Sequence, residues 1–194
     1  MSTWPLFDDA AKPDLSPIDA VIGPPRGFEP ATAAALREAL GTIDTAPTTC
    51  TGADRAQQQL IDVLHAHGHH AAAFLEVYHG ITVAVIDALD RGQLGPRAFF
   101  ERLDGRFAER HFDGVKAELG LDTTSDAARY RLWSPSFALD NMPADPATPL
   151  GIKPAMAHFT VGMCCHINFD LACALDETIR ELGFAGDAAA LAEI

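Results

Sequence analysis

From His158 to Glu177 the chain reads HFTVGMCCHINFDLACALDE, a mostly apolar stretch into which two histidines and an aspartate are set as H-x7-H-x3-D. Imidazole and carboxylate groups in apolar surroundings need partners, because an unpaired buried charge costs several kcal/mol. Either these groups pair with one another or they meet something that is not protein. At 100° per residue, with His158 at zero, Gly162 falls at about 40°, His166 at about 80°, Asp170 at about 120° and Cys173 at about 60°, all on one helical face. His166 and Asp170 are an i, i+4 pair, so the carboxylate can orient the imidazole or both can grip one metal ion. Gly162, one turn below His166, leaves room for a ligand or for the approach of another helix. His158 lies about 18 Å along the axis from Asp170, too far for one ion to touch both.

Three functions fit these residues. In the leading expectation the protein is a metal-assisted hydrolase or oxidase, with zinc or iron held by His166 and Asp170, completed by His111 or His79 from other helices and open to water or substrate. In the second, His166 is oriented by Asp170 and moves protons without a metal on a small, largely apolar substrate, as an isomerase, cyclase or lyase. In the third, a binding or interaction protein keeps the polar network and does no chemistry. His158 is a further catalytic candidate, and Tyr78, Trp133, Phe137 and Gly162 are the expected substrate contacts. Trp133 and Phe137 lie in RYRLWSPSFALDN, Arg129 to Asn141, which fits a lid over a pocket or a seal on one end of a bundle.

Other polar clusters read less sharply. Glu76 and His79 have the E-x-x-H spacing that di-iron bundles use twice, yet the chain carries one copy. The run HAHGHH, His65 to His70, reads as a solvated turn. The chain has no G-x-S-x-G elbow, P-loop, strand-linked G-x-G-x-x-G or H-E-x-x-H helix, which disfavours those chemistries.

The elements that must position these residues are helices. Apolar residues recur three or four apart over Asp54–His67, His70–Arg91, Pro96–Leu119 and Pro154–Leu182, predicting four long core helices. On the second, Phe74, Tyr78, Ile81, Val85 and Leu89 form the inward stripe; on the third, Phe99, Leu103, Phe107, His111 and Val115 do. Gly92, Gly95 and Pro96 separate these two, and Gly120 stands where a C′ glycine is expected. A further helix is predicted from Ser125 to Trp133, a loop over Ser134 to Pro149, and a closing turn over Asp187–Ile194. A weak strand option covers Ile81–Ile86. Prolines at 5, 13, 17, 24, 25, 30 and 47 make residues 1–50 an expected arm with one short helix near Ala31–Leu40, leaving 51–194 as an all-α, single-domain bundle of four to five core helices.

The segment AHFTVGMCCHINFDLACAL resembles the signature helix of an uncharacterised bacterial domain-of-unknown-function family with roughly the pattern Q-H-L-L-L-G-M-N-A-H-I-N-x-D-L-x-x-A. His158, Gly162, Met163, His166, Ile167, Asn168, Asp170 and Leu171 match it, and FLEVYHGITVAV and RLDGRFAERHFDGV resemble two further family segments. The likeness spans roughly residues 50 to 180. Ala157, Cys164 and Cys165 depart from the pattern, so no role is carried to them. The resemblance points to a site and to no particular reaction.

At 194 residues the chain suits one domain with a sizeable core, and its net charge of −13 disfavours nucleic acid and anionic lipid as partners. A small-molecule ligand is the expected partner; no oligomeric state is implied. The N-terminus lacks a signal-peptide pattern and no clean membrane-spanning stretch stands out, so a cytoplasmic location is expected. Four cysteines, three of them between 164 and 173, read as reduced thiols packed as small hydrophobes.

Overall fold

Helix ends in this chain follow local chemistry. The computed structural model describes residues 28–121, 133–139 and 154–184, and every regular element among them is helical. Helix α1 (Pro30–Leu40) starts on a proline, whose fixed φ suits a first turn. Helix α2 (Cys50–Ala66) starts earlier than periodicity predicts because Thr49 caps it, its side-chain oxygen accepting the Gly52 N–H at 3.0 Å. Helices α3 (Ala71–Asp90) and α4 (Arg97–Glu118) are separated by Gly92 at φ 66°. Gly120, at φ 69°, ends α4 in the left-handed conformation that glycine adopts at no steric cost. A short helix α5 (Ser134–Ala138) follows, then α6 (Pro154–Cys165), a π-helical turn (His166–Asp170) and α7 (Leu171–Glu181).

Helix α2 packs against α1, α3 and α4, while α6 lies on α3 and α7 on α4. One core joins them, with Leu36, Leu60, Phe74, Tyr78, Phe112 and Trp133 all buried in it. Two close approaches require glycine. Gly105 sits against the backbone of Pro47, and a methyl at Gly114 would stand 2.7 Å from the ring of Trp133.

Several expectations are corrected. Residue 50 is not a packing boundary: Phe28, Ala33, Leu36 and Leu40 belong to the common core, so the short helix is part of the bundle. Residues 81–86 are helical rather than extended. On α3 the inward position falls to Thr82, fully buried, while Ile81 is 44% exposed, because the buried stripe follows Tyr78 by one turn rather than by three residues. The segment carrying the two histidines is not enclosed all round, since Met156, Ile167, Phe169 and Leu175 are exposed. Helix α3, at 20 residues, is long and apolar enough by length and composition to cross a membrane, contrary to the reading of the sequence, and a third of it is buried inside the bundle. Ser134–Ala138 is helical where a loop is predicted. Residues 1–27 of the expected arm, the helix predicted over Ser125 to Trp133 apart from Trp133 itself, the loop 140–153 and the turn Asp187–Ile194 lie outside the described residues. All four cysteines are free thiols.

Candidate functional site

The predicted single helix Pro154–Leu182 is interrupted where its polar residues stand. Over His166–Asp170 the backbone widens into a π turn, closed by the Leu171 N–H donating to the His166 carbonyl. Asn168 supports the turn by donating its side-chain N–H to the Cys164 carbonyl at 2.8 Å. Such turns break the regular 100° progression and are concentrated at functional sites. Here the turn presents Ile167, Asn168 and Phe169 to the outside while His166 and Asp170 stay buried.

His166 Nδ1 and Asp170 Oδ2 are hydrogen-bonded at 2.9 Å. The same carboxylate oxygen accepts the indole N–H of Trp133 at 3.0 Å, so α5 is pinned to the turn. Trp133 is thus a direct partner of Asp170, which the i, i+4 reading did not anticipate. The imidazole lies face to face on Phe107, centroids 3.5 Å apart and planes within 5°. Tyr78 at 4.4 Å, Phe74 at 5.4 Å and Trp133 at 5.7 Å surround it edge-on. His111, expected to face inward on α4, does meet the turn, with its ring 6.3 Å from that of His166.

Burial governs the charge state of this cluster. It holds His166 and His111 well below the usual imidazole range, and the positive charges of His166 and His158 would oppose protonation of His111 further. It pushes the Asp170 carboxyl up to about 7, against the opposing pull of the Trp133 hydrogen bond and the Arg110 charge. Arg110 itself is paired with Glu177 of α7. Among the described residues, His166 Nε2, His111 Nδ1 and the Tyr78 hydroxyl have no hydrogen-bond partner although all are buried. Buried polar atoms are nearly always paired, so three unpaired atoms in one neighbourhood call for an explanation.

The other candidates go elsewhere. His158 contacts the Ser136 hydroxyl at 3.3 Å and packs near Phe137 and His69, separate from the Asp170 carboxylate. His79 pairs with Asp54 of α2 at 2.7 Å, and Glu76 with His65 at 2.7 Å, so the E-x-x-H motif is spent on hydrogen bonds to α2. His69 is buried against Phe28 rather than solvated in the histidine-rich turn. The space at Gly162 is taken by Phe74, whose ring would stand 3.0 Å from an added methyl, so this glycine admits another helix. Phe137 stacks on Trp133 behind the site.

A metal needs at least three such ligands at one point, and among the described residues no three His, Cys, Asp or Glu side chains gather to hold one. His166 brings one free nitrogen, the His111 ring stands 6.3 Å from that of His166, Asp170 already accepts from His166 and Trp133 at one oxygen, and His79 is committed to Asp54. Among the described residues this donor set does not fit zinc or iron.

A second buried polar group adjoins the first. Gln57 of α2 donates to Thr82 of α3 at 3.2 Å, and Thr82 donates to Asp104 of α4 at 3.2 Å. Burial pushes Asp104 up to about 6, opposed by hydrogen bonds from Thr82 and Cys50 and reinforced by the charges of Glu101 and Asp54. The sequence signal was available: Asp104 precedes Phe107 by one turn on the inward stripe of α4, as Thr82 follows Tyr78 by one turn on α3.

A family model described as a family of unknown function (DUF5995) matches residues 54–193, which take in every residue of both groups except Cys50. No curated protein and no solved structure matches the chain.

Proposed function

The chain belongs to the DUF5995 family, a family of unknown function, and we propose that it is a metal-free acid/base enzyme that moves a proton within a small, largely apolar molecule, as isomerases, cyclases and lyases do. One observation carries the reading: buried His166 bonds Asp170 through Nδ1, and its Nε2 faces an aromatic lining without a hydrogen-bond partner among the described residues. Burial disfavours charge on both members, so the favoured state is a protonated carboxyl beside a neutral imidazole, with no net charge. In that state the Asp170 acid donates to Nδ1, and Nε2 carries the remaining N–H. When Nε2–H is given to a substrate, the Asp170 proton moves to Nδ1, and the imidazole stays neutral throughout. The reverse movement accepts a proton. A pair that titrates near the working pH is suited to both directions. Phe74, Tyr78, Phe107 and Trp133 supply the apolar contacts a small hydrophobic molecule needs.

Deuterium uptake tests the reading without a known substrate. The protein is incubated in D2O with a cyclic ketone, a β,γ-unsaturated ketone, an unsaturated lactone, a nitroalkane and a nitrile, and incorporation is read by mass spectrometry. The expected result is incorporation above the buffer rate in at least one probe, lost in His166→Gln and Asp170→Asn proteins whose circular dichroism matches the parent. No incorporation in any probe, or equal incorporation by parent and variants, would leave the network with a structural role only.

A further inference from the structure

Three buried polar atoms without a hydrogen-bond partner among the described residues belong to three different elements: Nε2 of His166 on the π turn, the hydroxyl of Tyr78 on α3 and Oδ2 of Asp104 on α4. They are neighbours by two routes. The Tyr78 ring lies 4.4 Å from that of His166, and Thr82, one turn beyond Tyr78, binds Asp104 Oδ1 at 3.2 Å. On α4, Asp104 precedes by one turn the Phe107 ring on which His166 is stacked. The hydrogen bonds run one way, from Gln57 to Thr82 to Asp104, so Asp104 is the final acceptor and Oδ2 remains available. Tyr78 is held as a protonated phenol, chiefly by burial and then by the nearby acidic charges, Asp104 first, against the opposing effect of its interaction with Thr82.

We infer that the molecule taken by this site is an enolisable carbonyl compound, with Asp104 accepting its α proton, Tyr78 donating a hydrogen bond to the carbonyl oxygen and His166 returning a proton to the γ carbon. The inference rests on the acid/base reading above and names its substrate class. The α C–H bond breaks as an O–H bond forms on Asp104, and the electron pair moves onto the carbonyl oxygen, whose charge the Tyr78 hydroxyl stabilises. A C–H bond then forms at the γ carbon with the proton of Nε2, while the Asp170 proton passes to Nδ1. The double bond has shifted, and one proton has gone from substrate to Asp104 and one from the His166–Asp170 pair to substrate. Return of the Asp104 proton to Nε2 of His166, with the Nδ1 proton passing back to Asp170, restores the starting state.

Two carboxylates whose environments set them apart suit a base and an acid. Asp104, raised to about 6, gives up its proton before Asp170, raised to about 7, which is the order the reaction needs. The ionisable groups facing Asp104 are Cys50 and Asp54 of α2, Tyr78 of α3 and Glu101 of α4, and on the far side of Tyr78 the pair His166–Asp170.

The test combines binding with turnover. β-Naphthol, a planar phenol that mimics a dienolate, is titrated against the full chain by its fluorescence, and deuterium uptake from D2O is followed with the β,γ-unsaturated ketone across the pH range. Expected are saturable β-naphthol binding, weakened at least tenfold in Tyr78→Phe and retained in Asp104→Asn, and ketone exchange lowered about a hundredfold or more in Asp104→Asn with loss of the acid limb near pH 6. Absence of β-naphthol binding by the folded parent overturns the carbonyl assignment. Ketone exchange lost in His166→Gln but unchanged in rate and pH profile in Asp104→Asn overturns the role of Asp104 and leaves the acid/base reading standing. Deuterium incorporation at the γ carbon that survives His166→Gln overturns that reading itself, and the inference with it.

Discussion

Trp133 donates its indole N–H to the same Asp170 oxygen that His166 holds, at 3.0 Å against 2.9 Å, so one carboxylate oxygen ties α5 to the π turn. The indole bond is a force that keeps Asp170 ionised against its burial. Replacing Trp133 by Phe removes that donor and keeps most of the ring. The Asp170 carboxyl is expected to titrate above its parental value of about 7, which 13C NMR of the aspartate side chains measures directly. Because the pair acts as an acid only while it holds its proton, the alkaline limb of any deuterium exchange moves to higher pH with it. Loss of the bond also costs about 1–3 kcal/mol of stability, read by urea unfolding.

Asp104 carries a pH signature of its own. Its folded value of about 6 stands above the unfolded value near 3.8, so the native state binds the proton more tightly. The stability this contributes is full below the unfolded value and is lost as pH rises through about 6. Asp104→Asn keeps an acceptor for the Thr82 hydroxyl and removes the buried charge. At pH 8 the variant is expected to be more stable than the parent by about 1–3 kcal/mol, with the difference vanishing towards pH 4. Paired urea titrations at the two pH values check it, and a constant offset would assign the change to packing instead.

The bundle is legible in the sequence because its inward stripes recur with helical period: Phe74 and Tyr78, and Phe99, Phe107, His111 and Val115, stand where the pattern puts them. The His166–Asp170 contact is legible too, since residues four apart on a helix are neighbours. The rest depends on what helical periodicity cannot carry. The π turn departs from 100° per residue, so a wheel drawn through it loses its phase beyond His166. Trp133 reaches Asp170 across 37 positions, and Gln57, Thr82 and Asp104 come together from three helices, a matter of packing rather than of spacing. His79 and Glu76 look like a metal motif because the sequence does not display the Asp54 and His65 that neutralise them.

Two glycines on neighbouring helices are expected to respond in opposite ways to the same methyl group. At Gly162 the added carbon meets the Phe74 ring at 3.0 Å, and that ring is itself fixed against Tyr78, His111, Trp133 and His166. Gly162→Ala therefore loses about 1–3 kcal/mol through overpacking. At Gly80, on the exposed side of α3, nothing lies within 4 Å and the backbone is already helical. Gly80→Ala gains about 0.5–1 kcal/mol. Denaturant midpoints of the two variants, measured against the parent, decide both signs.

Metal content separates the two enzymatic readings of the sequence. With His79 bound to Asp54, and His166, Asp170 and His111 not gathered to hold one ion among the described residues, protein purified without chelator or nickel resin is expected to hold zinc and iron well below one equivalent. Adding and removing a chelator should then leave its melting temperature unchanged, because no metal contributes to folding. Stoichiometric zinc or iron by elemental analysis would restore the metal-assisted reading.

His111 supplies the opposite pH dependence to Asp104, and the contrast separates buried base from buried acid. Its ring is buried against Phe74 and Trp133, and burial holds it well below the usual imidazole range. A group whose folded value is depressed contributes stability above its unfolded value, near 6.5, and loses it as pH falls. The unfolded chain takes up a proton there that the native interior refuses. His111→Phe fills a similar volume, removes the unpaired Nδ1 and has no proton to refuse. The variant is therefore expected to gain on the parent as pH falls, by up to about 2 kcal/mol at pH 5 relative to pH 8, in urea unfolding at both values. Asp104→Asn gains in the other direction, so these two groups give the parent opposed pH dependences. An advantage of His111→Phe that did not grow on acidification would mean that the imidazole is charged in the native state, and a charged neighbour would remove the basis for treating His166 as neutral.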